Sequence, residues 1–414
     1  MKCRTICLAP LLVAITAAYA AAGQAPVPSA DGASAPHGEG AGHLHAFFEA
    51  LDALPTAAPG DHVRVAWWGD SAIVSDGYTG ALRRTLQERF GDGGPGFTLV
   101  APDFGGYLRK GVRLKRHHWD VMSVLKGGRK DGRYGYGGVV ATSYGGAGST
   151  FTTPEPRIER VLVYHRQTSR AGGLQLFVDG APTPTFSLPK SRAGGGDTVW
   201  SVPLSESASS VRLRAAGGGL SMLYGVSLER EKPGVTLDAL GLVGLRARRW
   251  RKADEAHLSD QIAARGLDLV VVAFGGNERV DANLTVERHA AVIGETVRRF
   301  RAGAPSASCL IVGPIAHAKR GSTRLDPRLV PIYAAQRQAA QSEGCAFFDT
   351  IAAMGGDEAV AHFKSKRLLG RDMAHLTPAG HVVVGGLISD WLLAAYEVRA
   401  AGLSRASMPS LSRR

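Results

Sequence analysis

Four short apolar runs constrain this chain more than any other feature. Val63–Trp68, Leu267–Phe274, Cys309–Val312 and Cys345–Phe348 have the length of strands and are dominated by apolar side chains. A strand apolar on both faces must be covered on both, so these runs belong inside a sheet rather than on a surface. Helical patterns lie between and around them. Leu82, Leu86 and Phe90 fall on one helical face after the first run, and Val292, Ile293, Val297 and Phe300 follow the second. A helix around Leu329–Gln341 separates the last two runs, and Leu44, Phe47, Phe48, Leu51 and Leu54 repeat at helical spacing ahead of the first. Thr377-Pro378 opens a final helix, with Thr as N-cap and Pro at the first helical position. Apolar strands alternating with helices predict an α/β fold around a parallel sheet.

The texture changes between about Tyr134 and Glu231. Arg160–His165, Leu174–Val178, Thr198–Val202, Val211–Arg214 and Met222–Leu228 are short runs separated by Gly, Pro and Ser clusters. That spacing predicts an antiparallel β-sandwich inserted into the α/β domain, which is thereby split into residues 43–133 and 232–399. At 414 residues the chain is long enough for both. Residues 400–414 read as a basic tail, and 23–42 as a Pro/Ala/Gly/Ser linker with too little apolar content to fold.

Residues 1–22 read as a signal peptide. Lys2 and Arg4 give a basic start, an apolar stretch runs from Thr5 to about Ala22, and Ala18-Tyr19-Ala20 has the small-x-small form of a cleavage site. No other segment reads as long and apolar enough to span a bilayer, so no stable membrane insertion is expected after its removal. The expected location is periplasmic or secreted. Cys3 and Cys7 leave with the signal, while Cys309 and Cys345 each begin a buried strand. In an oxidising compartment they form either a disulfide or two small buried hydrophobes. The formal net charge is +13, falling to +11 without Lys2 and Arg4, with a dense segment at Lys110–Arg133. Aromatic-studded nucleic-acid motifs are absent, so the charge reads as affinity for acidic envelope glycan rather than nucleic acid.

Three separated clusters carry the chemistry, each at a strand end or a helix start, where open α/β sheets place their sites. Gly69-Asp70-Ser71 puts a serine on a glycine turn directly after a buried strand, with its hydroxyl at the mouth of the sheet. It lacks the closing glycine of the G-x-S-x-G elbow, which argues against an α/β-hydrolase lipase. Gly275-Gly276-Asn277-Glu278 places an amide donor beside glycines that let substrate approach. Asp372-Met373-Ala374-His375 puts a carboxylate three residues before an imidazole, able to hold Nδ1–H and leave Nε2 free for a serine proton. No Cys/His spacing suggests a metal site, and the chemistry calls for no cofactor.

This ordered set resembles the SGNH (GDSL-type) hydrolase superfamily over most of Val63–Arg399. The resemblance implies a three-layer α/β/α, flavodoxin-like domain with the β-sandwich inserted. It implies Ser71 as nucleophile, with Asp372 and His375 completing a triad. The implied oxyanion hole combines the Ser71 N–H, a glycine N–H from a second block and Asn277. Gly241-Leu242-Val243-Gly244-Leu245 resembles that second block in degenerate form, with Gly244 favoured over Gly241.

The stretch from Gly69-Asp70-Ser71 through Thr79, Leu82-Arg83, Leu86, Phe90-Gly91 and Gly96-Phe97 is similar to the peptidoglycan O-acetylesterase branch. In that branch the insertion resembles a carbohydrate-binding module. Ala72 stands where the branch often has His, and Val243 and Gly276 replace the commoner Asn and Thr. The resemblance thus implies a serine esterase acting on acetylated cell-envelope polysaccharide. The same residues suit an O-acetyltransferase or an esterase of another exopolysaccharide, and a glycan-binding protein with an inactive hydrolase domain is a third reading. His117-His118-Trp119 offers either a basic lip for glycan or a core tryptophan flanked by solvated histidines. Glu278 either orients Asn277 or caps the following turn.

Overall fold

Five parallel strands form the central sheet of the computed structural model, which describes residues 37–188 and 196–406. The expected signal peptide, most of the linker and residues 407–414 lie outside the described residues. In chain order the strands are His62–Gly69, Gly234–Gly241, Leu269–Ala273, Ser308–Val312 and Ala346–Phe348. In space the first lies between the second and the third, followed outward by the fourth and fifth, which is the flavodoxin-like order 2-1-3-4-5. Chain direction across the sheet therefore reverses beside the first strand, and the crevice between the first and third strands is where such sheets bind ligands.

Alternation along the strands builds two cores. Val63, Val65 and Trp67 pack with the helices His45–Ala53, Tyr78–Phe90 and Pro378–Ala406. Ala66 and Trp68 face Glu255–Arg265, Val286–Arg301 and Leu329–Glu343 on the other side. Helices thus cover both faces, as the apolar runs require. Pro378–Ala406 is capped as expected, Thr377 Oγ1 accepting from Gly380 N–H at 3.2 Å. Contrary to the sequence reading, this helix does contain a stretch long and apolar enough to cross a membrane, Pro378–Gly402. Its Val384, Ile388, Trp391 and Leu392 are buried in the core. Helix also continues to Ala406, beyond the expected start of a tail at residue 400.

Two further departures are at strand edges. Gly38–Glu39, inside the expected linker, pairs antiparallel with Phe347–Phe348. An unpaired sheet edge recruits backbone whatever its side chains, and a Cβ at Gly38 would come within 2.3 Å of the Trp391 indole. The antiparallel pairing also begins well before Tyr134. Gly96–Thr98 pairs with Ser221–Glu229, Arg113–His117 with Gly148–Thr152, and Asp120–Ser123 with Val139–Ser143. Arg113–His117 and Asp120–Ser123 are outermost in their sheets and mostly solvated, so they carry no apolar run to announce them. The two antiparallel sheets share one buried cluster that includes Phe151, Val161, Val163, Leu174, Leu213 and Leu223.

Cys309 and Cys345 form a disulfide across neighbouring parallel strands, resolving the open alternative in favour of the bond. At the junction of parallel and antiparallel sheets, the fully buried Arg265 donates to Glu229 Oε1 at 2.6 Å and to Asp238 Oδ2 at 2.7 Å. Asp238 also accepts from Phe97 N–H at 2.8 Å and Tyr136 O–H at 3.0 Å. One guanidinium thus ties the second parallel strand to the last antiparallel one.

Candidate active site

Strand His62–Gly69 delivers Ser71 to the crevice by ending in a residue without a side chain. A Cβ at Gly69 would lie 2.6 Å from the Ala273 carbonyl oxygen on the neighbouring strand, so only glycine fits. Asp70 then caps the short helix Ser71–Val74, its Oδ1 accepting from Ala72 N–H at 3.0 Å. Capping falls to Asp70, which leaves the Ser71 hydroxyl free for other work. Ser71 N–H, at the first helical position, has no intrahelical acceptor.

The three triad candidates meet although 304 residues separate Ser71 from His375. Ser71 Oγ lies 2.9 Å from His375 Nε2, and His375 Nδ1 lies 2.6 Å from Asp372 Oδ2. A carboxylate only accepts, so Nδ1 carries the hydrogen and Nε2 accepts from the serine hydroxyl. Asp372 Oδ1 takes the Ala374 and His375 N–H groups at 3.1 Å each. Burial acts to raise the Asp372 carboxyl, and the bonds from His375 and these N–H groups more than offset it, holding the carboxyl below its ordinary value. Met373 adopts φ 59°, uncommon for a non-glycine residue, and is held there by burial and by its carbonyl accepting from Ala318 N–H at 2.9 Å. The His375 and Asp372 side chains are 52% and 53% exposed, so water reaches the dyad.

The oxyanion candidates are arranged less simply. Asn277 Nδ2 lies 3.1 Å from Asp70 Oδ2 and 3.0 Å from the Leu245 carbonyl oxygen, so both amide hydrogens already have acceptors. A substrate oxyanion would share or replace the Asp70 contact. Burial pushes the Asp70 carboxyl up to about 6, against the lowering effect of the Ala72 N–H, His375, Arg279 and Asn277. Gly244 has φ 75° in a turn closed by Leu245 N–H on the Leu242 carbonyl at 3.0 Å. Its own N–H has no partner among the described residues, yet Gly244 is not part of the cavity lining around Ser71.

Glu278 neither orients Asn277 nor simply caps a turn. It accepts from Ala247 N–H at 2.8 Å and from Gly275 N–H at 3.0 Å, joining the segment just after the second block to the third. Burial, helped by the Asp70 charge, pushes its carboxyl from 4.5 up to about 7. The folded state therefore keeps a proton that the unfolded chain releases, and raising pH through this window costs stability. That contribution is complete below about pH 4.5 and gone above about pH 7. In Glu278→Gln, which cannot titrate, the melting-temperature deficit relative to wild type is expected to shrink as pH rises across that window. A deficit constant across thermal melts over the range would refute the linkage.

Ser71 and His375 line a cavity of about 230 Å³ with Tyr78, Gly276, Asn277, Arg279, Ile315 and His317. Arg279 donates to the Gly276 carbonyl and, at 3.3 Å, to Asp326 Oδ2. Tyr78, Arg279 and His317 belong to no motif. Their only sequence signals are positions in the helix after the serine or just beyond a strand end. Of the His117-His118-Trp119 candidates, Trp119 is core, donating to Ser149 Oγ at 2.9 Å, and the histidines are solvent-exposed.

Residues 205–383 match the model of the GDSL-like Lipase/Acylhydrolase family, a span that contains Asn277, Asp372 and His375 but not Ser71. No curated protein matches the chain by sequence. Among solved structures, a peptidoglycan O-acetylesterase superposes with a TM-score of 0.72 at 23% identity, covering 88% of this chain and 99% of its own. That likeness shows the fold. A lipase/acylhydrolase from Enterococcus faecalis matches at 19% identity and TM-score 0.31, over 38% of this chain and 75% of its own. A family two carbohydrate esterase from Clostridium thermocellum matches at 11% identity and TM-score 0.27, over 66% and 97%.

Proposed function

From a chain that carries the GDSL-like lipase/acylhydrolase pattern over residues 205–383, and a fold shared with a peptidoglycan O-acetylesterase, we propose an exported serine esterase that removes O-acetyl groups from cell-envelope glycan. The observation that carries this reading is the Ser71–His375–Asp372 relay, at 2.9 and 2.6 Å, at the switch point of the sheet.

In the mechanism Ser71 Oγ attacks the acetyl carbonyl carbon while its proton passes to His375 Nε2. The carbonyl oxygen becomes an oxyanion facing Ser71 N–H, with Asn277 as a further donor once the oxyanion shares or replaces its Asp70 contact; such a donor is worth about 3–4 kcal/mol where one has been removed from other enzymes. The tetrahedral intermediate collapses, the bond between the acyl carbon and the sugar oxygen breaks, and His375 gives the proton to that departing oxygen, which leaves as the sugar hydroxyl. Water then attacks acetyl-Ser71, giving its proton to His375, and acetate leaves as Ser71 regains its hydrogen. Asp372 keeps the imidazole in the tautomer both halves need and stabilises the imidazolium.

The disulfide supports export, since such bonds persist in oxidising compartments. An anionic polymer as partner is supported by one sheet face. Lys115, Thr150 and Arg212 form one cross-strand row, and His117, Gly148 and Arg214 the next. Lys115, Arg212 and Arg214 are all solvent-exposed.

The test is acetate release from O-acetylated peptidoglycan and from an aryl acetate, with labelling by a serine-directed fluorophosphonate mapped by mass spectrometry. Release from both substrates and a label on Ser71 are expected. No release and no label would instead favour the glycan-binding protein with an inactive hydrolase domain.

A further inference from the structure

His317 is an imidazole the mechanism does not use, set in the wall of the same cavity as the nucleophile. It is 7% exposed. Its Nδ1 lies 2.7 Å from the Ile315 carbonyl oxygen, which accepts only, so Nδ1 carries the hydrogen and Nε2 presents a bare lone pair. That nitrogen has no hydrogen-bond partner among the described residues, and it is not sealed away from solvent as the unpartnered buried atoms elsewhere are. The opening is at Gly276. A Cβ there would lie 3.6 Å from His317 Nε2 and 3.2 Å from Asp70 Oδ2, so a side chain at this position would stand against both.

The backbone that carries the ring is held on both sides. The His317 carbonyl accepts from Asp326 N–H at 2.8 Å, and the next residue's N–H is bonded to Met373 in the loop that carries Asp372 and His375. The charged and titratable groups around it are Arg279, His375, Asp326 and Asp70. Burial first, then the Arg279 charge, pushes its pKa down to about 4, so at neutral pH it is an acceptor without charge. A buried acceptor left without a donor is costly, whereas one that meets a donor only in the right substrate discriminates.

We propose that His317 is a specificity-determining residue whose Nε2 accepts a hydrogen bond from an O–H or N–H on the sugar half of the ester. This rests on the esterase reading. An acetyl group has neither O–H nor N–H, so the donor comes from the alcohol that the acetyl group esterifies. The ligand class is an O-acetylated sugar with a hydroxyl or amide donor close to the ester, and a donor-free aryl acetate makes no use of His317.

The experiment compares kcat/KM of wild type, His317→Ala and His317→Gln on O-acetylated peptidoglycan fragments and on 4-nitrophenyl acetate. His317→Ala is expected to lose about 10- to 100-fold on the glycan ester, carried mainly by KM, and less than about threefold on the aryl acetate. Retained aryl acetate turnover also reports an intact fold and triad. His317→Gln, which restores an acceptor, is expected to recover part of the loss. Equal losses on both substrates, or none on either, would overturn the role of His317 while leaving the esterase reading in place. A wild type that turns over the aryl acetate but no O-acetylated sugar would overturn the substrate reading, and this inference with it.

Discussion

Replacing Ser71 by alanine is expected to reduce turnover of O-acetylated glycan and of aryl acetate alike by about 10⁴- to 10⁶-fold, equivalent to about 5–8 kcal/mol of transition-state stabilisation. The loss is this large because the serine oxygen forms the bond, and water held in its place has neither its position nor its approach to His375 Nε2, 2.9 Å away. Binding of glycan is expected to survive, since alanine removes one oxygen from a cavity otherwise unchanged. Asp372→Ala should cost less. With its carboxylate 53% exposed, water partly replaces it, and a loss on the order of 10²-fold is expected. Steady-state kinetics with both substrates checks the order. An active Ser71→Ala enzyme would remove the basis of the proposed mechanism.

The second large effect is expected at Arg265, far from the chemistry. Glu229 and Asp238 are both fully buried. Burial alone would raise their pKa values, but the Arg265 charge, joined by Arg64 and His62 at Glu229 and by Arg109 at Asp238, more than reverses this and holds Glu229 down at about 2. Arg265→Ala leaves two buried carboxylates short of their principal counter-charge, a change that costs about 3–5 kcal/mol in comparable buried networks. Arg265→Lys keeps a charge but loses the planar fork that reaches both carboxylates, so its cost is expected to fall between. Urea unfolding followed by circular dichroism measures both. A cost for Arg265→Ala within about 1 kcal/mol of zero would mean that the carboxylates find other partners or protonate cheaply.

Legibility in the sequence follows burial and periodicity. Val63–Trp68, Leu267–Phe274, Cys309–Val312 and Cys345–Phe348 are visible because strands covered on both faces are apolar on both. Four of the five parallel strands announce themselves this way. Ser71, Asn277 and His375 are visible because glycine turns and a capped helix mark the ends of those elements. Gly38–Glu39, Arg113–His117 and Asp120–Ser123 are not, because an edge strand is held by backbone bonds that place little demand on side chains. The long final helix hides its role for another reason: its composition alone does not separate packing on a core from crossing a bilayer.

The site divides along the same line. Ser71, Asp372 and His375 can be chosen from local chemistry, since each carries a signal within a few residues of itself. The commitments of Asn277 to Asp70 and Leu245, of Glu278 to Ala247 and Gly275, and of His317 to Ile315 cannot be chosen that way. Most of these join residues from different strand ends, and whether a polar atom is spent or free depends on what the fold brings beside it. The alternating apolar strands and helices by themselves determined a parallel sheet, and with it where a serine after the first strand must lie. Only the tertiary structure decided which donors and acceptors in that crevice remain available to a substrate, because hydrogen-bond satisfaction is a property of neighbours in space and not of neighbours in the chain.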